Sequence, residues 1–314
     1  MTTALIFPGQ GSQAVGMGRS LADAFPVAKA VFDEVDAALS QKLSTLMWEG
    51  PAEELTLTAN AQPALMAVSL AVVRVLEAEA GLDLGRDAAF VAGHSLGEYS
   101  ALAAAGTFSV SDAARLLRIR GDAMQKAVPA GQGAMAALLG AELDLAREIA
   151  AAAAQGEVCE AANDNGGGQV VLSGSKAAID RAIALATERG VKRAMLLPVS
   201  APFHCALMQP AAEAMREALS KIAMQAPVVP VMANVGAAPL SDPEAIRASL
   251  VAQVTGTVRW RECVQAMAAA GVDDFVELGS GKVLAGLVKR IAAGTATASV
   301  GTAEDIAAYK ARKG

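Results

Sequence analysis

Apolar and polar residues along the chain alternate between short buried runs and longer helical repeats. Runs that are apolar on both faces, as in strands buried inside a sheet, occur at 3–7, 88–92, 228–233, 273–278 and 296–300. Apolar residues recur at helical spacing across about 18–40, 41–48, 59–80, 95–105, 111–127, 208–224, 243–252, 260–270 and 282–292, and a further helix closes the chain. This alternation predicts an α/β domain with a mostly parallel sheet covered on both faces.

The middle of the chain follows a different order. Composition changes at Pro129-Ala-Gly-Gln-Gly133, after which the elements are strand 134–139, helix 142–154, strands 157–162 and 169–173, helix 175–189 and strand 193–199. The order βαββαβ is typical of ferredoxin-like domains. We therefore predict a ferredoxin-like small domain over 129–198, inserted into a large domain made of 1–128 and 199–314.

Composition and charge exclude several classes of function. The net charge of −6 argues against a general nucleic-acid binder. The longest apolar run, 64–73, ends at Arg74 and is shorter than the roughly 20 residues that a bilayer span needs. The start MTTALIFPGQG has no basic segment typical of a signal peptide. We expect a cytoplasmic monomer with no nucleic-acid or membrane partner.

The three cysteines, Cys159, Cys205 and Cys263, are far apart and form no CxxC pair. Neither a disulfide framework nor a zinc site is predicted.

The segment Gly93-His94-Ser95-Leu96-Gly97 has the spacing of a nucleophile elbow between a strand and a helix. Small residues are needed there because the strand and the helix cross closely. Ser95 is then a candidate nucleophile, and the N–H of Leu96 is a candidate oxyanion donor, with a second donor coming from another loop. The alternative is that Ser95 only caps a helix in a chain rich in alanine and glycine.

A serine nucleophile needs a base, and the chain has two histidines, His94 and His204. His94 adjoins Ser95, so its side chain should point away from the hydroxyl and serve packing. His204 lies in the loop SAPFHCALM after the inserted domain, which favours it as the base over a structural role. A Cys205–His204 pair is a weaker alternative, because adjacent side chains diverge.

No acidic partner for His204 stands out. The aspartates between Ser95 and His204 are Asp112, Asp122, Asp144, Asp164 and Asp180. The first two fall in a predicted helix and the other three in the inserted domain. The imidazole is therefore open to orientation by a backbone carbonyl.

The loop Gly9-Gln10-Gly11-Ser12-Gln13-Ala14 follows the first strand and matches the dinucleotide fingerprint G-x-G-x-x-G/A. This predicts a rival function, a nucleotide-dependent oxidoreductase. The fingerprint also requires an acidic residue at the end of a second strand, whereas Asp33 and Glu34 lie in a helical pattern. The other use of the loop is to bring a backbone N–H to the oxyanion.

Arg120 falls in the centre of the apolar stripe of helix 111–127. A guanidinium keeps its charge, and burying it unpaired is unfavourable, so Arg120 needs an anion. That anion is either a structural partner such as Glu98 or a substrate carboxylate held by the guanidinium fork.

Taken together, six segments resemble the malonyl-CoA:acyl carrier protein transacylases of fatty-acid synthesis, essentially end to end. They are FPGQGSQ, GHSLGEYSAL, RGDAMQ, the loop ending in His204, QVTGTVRW and ELG-x-G-x-VL. The resemblance implies an α/β-hydrolase-like catalytic domain that carries the ferredoxin-like insert. It also implies ping-pong transfer of a malonyl group to the phosphopantetheine thiol of acyl carrier protein, with no metal or other cofactor.

Residue roles follow from the same resemblance. Ser95 is the acylated nucleophile and His204 the base. Gln10 and Leu96 provide the oxyanion N–H groups. Arg120 holds the malonyl carboxylate, and Gln253 lines the site and orients His204 through its carbonyl.

Phe203 stands where several relatives have serine. In polyketide-synthase acyltransferase domains, phenylalanine at this position accompanies malonyl over branched extenders. The closest alternative function is a serine hydrolase or thioesterase on the same elbow.

Carrier proteins of this pathway are acidic, so we expect docking on a local basic surface. The candidate contacts, for which an ordinary solvated face is the alternative, are Lys192, Arg193, Lys282, Lys289 and Arg290. Whether fatty-acid or polyketide synthesis is served stays open.

Overall fold

The structure is a computed structural model that describes residues 1–313. Within those residues the strands β1 to β10 are, in chain order, Thr3–Phe7, Phe90–Gly93, Gly133–Leu139, Cys159–Asp164, Gln169–Ser175, Arg193–Leu196, Val231–Ala233, Ala238–Leu240, Asp274–Leu278 and Ala296–Val300.

The helices α1 to α15 connect these strands and cover the sheets. They are, in chain order, Arg19–Ala24, Pro26–Leu39, Leu43–Glu49, Ala52–Thr56, Thr58–Ala80, Leu84–Asp87, Gly97–Ala104, Val110–Ala127, Leu143–Ala154, Lys176–Glu188, Gln209–Ser220, Pro243–Gln253, Trp260–Ala269, Val283–Ile291 and Ala303–Lys313. A short 3₁₀ turn, Ala206–Met208, precedes α11.

The large sheet has the order β10-β9-β1-β2-β7-β8. All neighbouring pairs are parallel except β7 with β8, which is antiparallel. β1 is central, and its Leu5 and Phe7 face one buried apolar layer while Ala4 and Ile6 face the other. Alternating residues of one strand thus reach two cores, as expected for a sheet with helices on both faces. The predicted α/β class is confirmed.

The small sheet has the order β4-β5-β3-β6 and is antiparallel throughout. This is the ferredoxin-like strand order, with α9 and α10 packed on one face over a separate apolar core. Its strands and helices run from Gly133 to Leu196. The domain limits at 129 and 198 stay a prediction.

Local details differ from the sequence prediction where proline interrupts a pattern. The helix expected over 18–40 is divided at Phe25, which is extended, and α2 begins with Pro26 in its first turn. Proline suits that position because it lacks the N–H that a first turn leaves unpaired. The last small-domain strand ends at Leu196, two residues before Pro198. The short elements α4, α6 and β8 were not predicted.

Helix α5 is the one candidate within residues 1–313 that is long and apolar enough to cross a membrane. Most of its apolar window, 83%, is buried inside the fold. It packs against α2 and α8 as a core helix. The apolar run 64–73 belongs to this longer helix.

Candidate active site

The turn between β2 and α7 holds Ser95 in the left-handed region, with φ of 54°. Such a backbone is strained for a serine and needs support from its surroundings. Gly93 and Gly97 make the crossing possible. A Cβ on Gly93 would lie 1.9 Å from the backbone of Gly97, and one on Gly97 would lie 2.3 Å from the carbonyl oxygen of Phe7. The local sequence therefore forms the elbow that its spacing predicted, with the Ser95 hydroxyl at the cleft.

His204 contacts that hydroxyl, with 2.7 Å between Ser95 Oγ and His204 Nε2. Its other ring nitrogen, Nδ1, lies 2.8 Å from the carbonyl oxygen of Gln253. A carbonyl only accepts, so Nδ1 carries the proton and Nε2 is free to accept from Ser95. Burial, reinforced by the charge of Arg120, lowers the pKa of His204 to about 3. The imidazole is thus neutral near pH 7, in the state that a general base requires.

The other two candidates for this chemistry point elsewhere. His94 Nε2 lies 2.8 Å from Oδ1 of Asn165 in the small domain, and burial lowers the pKa of this imidazole. Cys205 is buried, with its Sγ 3.2 Å from the carbonyl oxygen of Pro202. Burial raises the pKa of Cys205 to about 11, so it stays a thiol.

Three buried polar side chains hold the elbow from beneath. Asn234 accepts from the Ser95 N–H at 2.8 Å and donates to the Gly93 carbonyl at 2.7 Å. Gln253 Nε2 donates to the Ser95 carbonyl at 3.0 Å. Glu98 accepts from the Asn234 N–H and from Gln253 Nε2, both at 2.9 Å. These bonds fix the strained turn.

Neither Asn234 nor Glu98 was predicted to support the elbow, although signals existed, and Glu98 was considered only as a partner of Arg120. Asn234 directly follows β7, which neighbours β2 in the sheet, and Glu98 is the charged residue of an otherwise uncharged, buried helix, α7. Burial raises the pKa of Glu98 to about 7. Gln253 was expected to line the site. It is fully buried behind the cleft and acts there through its contacts with Ser95, His204 and Arg120.

Arg120 is only 1% exposed and contacts neutral oxygens. Its Nη1 donates to Gln62 Oε1 at 2.7 Å, and its Nη2 donates to Gln253 Oε1 at 3.0 Å and to Ser95 Oγ at 3.1 Å. Its Nε has no partner among the described residues. The guanidinium lies over the ring of Tyr99, 5.7 Å from the centroid.

No ion pair within residues 1–313 includes Arg120. Glu98, the structural partner that the sequence allowed, is bonded to Asn234 and Gln253 instead. Burial lowers the pKa of Arg120, but a guanidinium still keeps its charge. The site therefore holds a desolvated cation beside the Ser95 hydroxyl with no protein anion bonded to it.

The loop after β1 reaches the same cleft. Gly9 lies so close to the elbow that a Cβ there would be 2.7 Å from the His94 carbonyl oxygen. Gln10 and Leu96 both line the cleft, and among the hydrogen bonds of the described chain neither N–H has a partner. Asp33 lies inside α2, so the acidic residue that a dinucleotide fingerprint needs at a strand end is missing there.

The cleft has a volume of about 710 Å³. It runs between the carboxyl ends of the central strands of the large sheet and the small domain. Phe203 forms part of its wall, and Lys282 and Arg290 lie at its lining. The other basic candidates, Lys192, Arg193 and Lys289, are exposed outside the lining. Within residues 1–313, no group of three or more His, Cys, Asp or Glu is placed to hold a metal ion.

An elbow serine beside a neutral histidine, with free N–H groups nearby, defines the class of serine-dependent acyl-transfer enzymes. Residues 4–307 match the acyl transferase domain family, and the chain belongs to that family.

Sequence identity to relatives indicates which kind of acyl-transfer enzyme this chain is similar to. The chain is 46% identical over 304 residues to the malonyl CoA-acyl carrier protein transacylase of Bacillus subtilis, covering 96% of this chain and 94% of that protein. It is 47% identical over 288 residues to the transacylase of the same name from Escherichia coli K12, covering 92% of each.

Solved structures of malonyl transferases have the same fold as this chain. The acyl-carrier-protein S-malonyltransferase of Bartonella henselae superposes with a TM-score of 0.96 at 58% identity, with 98% of each chain covered. A malonyl-transacylase in complex with its type II polyketide-synthase acyl-carrier protein superposes with a TM-score of 0.96 at 41% identity, covering 99% of this chain and 100% of that one. Similarity at this level confirms the predicted fold.

Proposed function

We propose that this protein transfers a malonyl group from malonyl-CoA to the phosphopantetheine thiol of an acyl carrier protein through an ester on Ser95. The similarity to malonyl transacylases over nearly the whole chain supports this substrate pair. The observation that carries it is the buried Arg120 guanidinium, 3.1 Å from Ser95 Oγ and without a bonded anion.

In the first half-reaction Ser95 Oγ attacks the thioester carbonyl while His204 Nε2 takes its proton. The developing oxyanion is stabilised by the N–H groups of Gln10 and Leu96. Collapse of the tetrahedral intermediate breaks the C–S bond, and CoA leaves as the thiol with the proton from His204. The malonyl ester stays on Ser95.

In the second half-reaction the carrier-protein thiol gives its proton to His204 and attacks the ester carbonyl. The same N–H groups stabilise the second oxyanion. The C–O bond then breaks, and Ser95 regains its proton from His204. The cycle is balanced in protons, and its protein groups, two side chains and two backbone N–H groups, all come from this chain.

Arg120 selects the acyl group in this proposal by pairing with the malonyl carboxylate. A bidentate pair between guanidinium and carboxylate is favoured by geometry and by charge. Phe203, 8% exposed at the cleft wall, fills space that a branched acyl group would need. All these groups come from one chain, so a monomer is sufficient. We place it in the cytoplasm, since CoA thioesters are intracellular.

The test is intact mass after incubation with malonyl-CoA in the absence of a thiol acceptor. The wild type should gain one malonyl group, and Ser95→Ala should gain none. A Ser95→Ala adduct of unchanged occupancy would overturn the assignment of the nucleophile. Rapid release of free malonate by the wild type would indicate a hydrolase.

The carrier protein is proposed to dock at the basic residues beside the cleft. A Cβ on Gly167 would lie 3.1 Å from Arg290 Nε, and one on Gly140 would lie 2.9 Å from Lys192 Cβ. The Gly140 N–H donates to the Gly168 carbonyl at 2.7 Å. These close approaches support one basic surface formed by α14 and the small domain. Exposed ion pairs are screened over about 8–10 Å at physiological salt. The KM for carrier protein should therefore rise with ionic strength more than the KM for a small thiol.

Charge reversal tests this surface directly. Lys282→Glu and Arg290→Glu should each raise the KM for an acidic carrier protein. The matched control is Lys29→Glu on α2, outside the cleft lining. Equal salt responses for both acceptors, or equal effects of all three variants, would remove this surface from the proposal.

A further inference from the structure

Three hydrogen bonds run in one direction from Arg120 to the loop that carries Gln10. Arg120 Nη1 donates to Gln62 Oε1 at 2.7 Å. Gln62 Nε2 donates to Thr58 Oγ1 at 3.0 Å, and Thr58 Oγ1 donates to Gln10 Oε1 at 2.9 Å. Bonds aligned head to tail polarise one another, so each strengthens the next.

Thr58 is the last link of this chain before Gln10 and is fully buried, as is Gln62. Because Thr58 Oγ1 accepts from Gln62, its own hydrogen is directed to Gln10. Thr58 is the first residue of α5, and its backbone is packed against α8 at Gly121. A Cβ on Gly121 would lie 2.8 Å from the Thr58 carbonyl oxygen. The hydroxyl is thus presented from a rigid helix junction.

Among the described residues, Thr58 Oγ1 is the only hydrogen-bond partner of the Gln10 side chain. The next residues of the loop have bonds of their own, from the Gly11 N–H to Gln13 Oε1 at 2.7 Å and from Ser280 Oγ to the Ser12 carbonyl at 2.8 Å. Gln10 stands between Gly9 and Gly11, and Gly11 has a φ of 101°. Glycines on both sides leave the Gln10 peptide with more conformational freedom than other residues would. An N–H group stabilises an oxyanion effectively only when it is held in place before the reaction.

We propose that Thr58 is a positioning residue that holds the Gln10 N–H in place as an oxyanion donor and joins it, through Gln62, to the arginine that reads the acyl group. This rests on the proposed function. Its consequence is that loss of the Thr58 hydroxyl weakens an interaction made in the transition state. Such a loss lowers kcat while KM changes little.

The test compares Thr58→Val, which keeps the shape and removes the hydroxyl, with Thr58→Ser, which keeps the hydroxyl. The control is Thr107→Val, the same change at a buried threonine whose hydroxyl has no hydrogen-bond partner among the described residues. We measure Ser95 acylation by malonyl-CoA, the KM for malonyl-CoA and the Tm of each variant. We also measure Ser95 labelling by a fluorophosphonate, which needs the oxyanion donors but carries no malonyl group.

Thr58→Val should slow acylation by about tenfold or more, since complete removal of an oxyanion donor lowers rates by about 10²–10³-fold. Fluorophosphonate labelling should slow in proportion. Thr58→Ser should restore both rates, and Thr107→Val should leave both unchanged.

Three results would overturn the proposal. The first is acylation of folded Thr58→Val at the wild-type rate. The second is a loss of acylation rate that parallels a fall in Tm and that Thr58→Ser does not restore. The third is a raised KM for malonyl-CoA with unchanged labelling, which would place the effect on Arg120. If the wild type accepts no malonyl group, the proposed function fails, and the labelling rates still decide whether Thr58 positions Gln10.

Discussion

Replacing Arg120 by alanine should change which acyl group the enzyme accepts. The guanidinium is 1% exposed, bonded only to neutral oxygens, and 3.1 Å from Ser95 Oγ, the proposed nucleophile. A malonyl group bound there loses its partner in the variant. Removing one partner of a buried ion pair costs about 3–5 kcal/mol. At about 1.4 kcal/mol per decade, this is a loss of roughly 10²–10³-fold in kcat/KM for malonyl-CoA.

Acetyl-CoA should respond in the opposite sense. An acetyl group has no carboxylate, and in the wild-type site it leaves the Arg120 charge desolvated and unpaired. That penalty disappears in Arg120→Ala. We therefore expect kcat/KM for acetyl-CoA to stay level or rise while the value for malonyl-CoA falls.

Stability will change as well, so the decisive quantity is the ratio of kcat/KM for malonyl-CoA to kcat/KM for acetyl-CoA. Truncation leaves the Oε1 atoms of Gln62 and Gln253 without their Arg120 donor, at about 1–3 kcal/mol for each buried acceptor. The Tm should fall for this reason alone. Arg118→Ala is the matched control, because Arg118 is on the same helix and bonds to Asn60 and Gln41 outside the cleft.

The assay is kcat/KM for malonyl-CoA and acetyl-CoA on the wild type, Arg120→Ala and Arg118→Ala, with a thermal melt of each protein. Arg118→Ala should leave the malonyl-to-acetyl ratio unchanged. A parallel loss of both activities in Arg120→Ala would mean that Arg120 holds the fold and does not read the substrate.

Other predictions concern protonation and packing. Because the pKa of His204 is lowered to about 3, Ser95 acylation should stay level as the pH falls from about 6.5 to about 5; an acid limb centred near 6.5 would contradict this. Burial raises the folded-state pKa of Glu98 to about 7, so its protonated form stabilises the fold at low pH. That stabilisation, up to about 3 kcal/mol, is lost as the pH rises from about 4.5 through 7. The unfolding free energy of Glu98→Gln, measured in urea across this range, should lack that decline, and identical slopes would refute it. Gly93→Ala, whose Cβ would lie 1.9 Å from the backbone of Gly97, should lower the Tm strongly or prevent folding. Gly286→Ala, inside α14 with nothing within 4 Å of the new Cβ, should add up to about 1 kcal/mol of stability, and a similar loss in both variants would refute the packing argument.

Features that depend on local period and residue chemistry were predictable from the sequence. The order of strands and helices placed β1, β2 and β9 in a parallel sheet, and the βαββαβ order gave the small antiparallel sheet. The spacing of Gly93, Ser95 and Gly97 predicted a tight strand-to-helix crossing. The helical period placed Arg120 on the buried face of α8, where the structure has it.

Partners from distant parts of the chain were not predictable. Asn234 is 139 residues from Ser95, and Gln62 is 58 residues from Arg120. A hydrogen bond forms only when two atoms come within about 3 Å, which a one-dimensional pattern of polarity does not record. For the same reason, Thr58 reads in the sequence as an ordinary residue just before the helix predicted over 59–80.

The sequence by itself determined the class of fold, the elbow and the need of Arg120 for an anion, because each follows from the period of a helix or strand, the size of glycine or the charge of a guanidinium. Only the tertiary structure decided that Glu98 bonds to Asn234 and Gln253 and leaves Arg120 among neutral oxygens. It also placed the carbonyl oxygen of Gln253 2.8 Å from His204 Nδ1, an arrangement that the family resemblance implied and that the residues alone left open. Those outcomes depend on how α7, α8 and α12 pack at the carboxyl ends of the strands. Shifts of about an ångström in that packing would change which polar atoms meet.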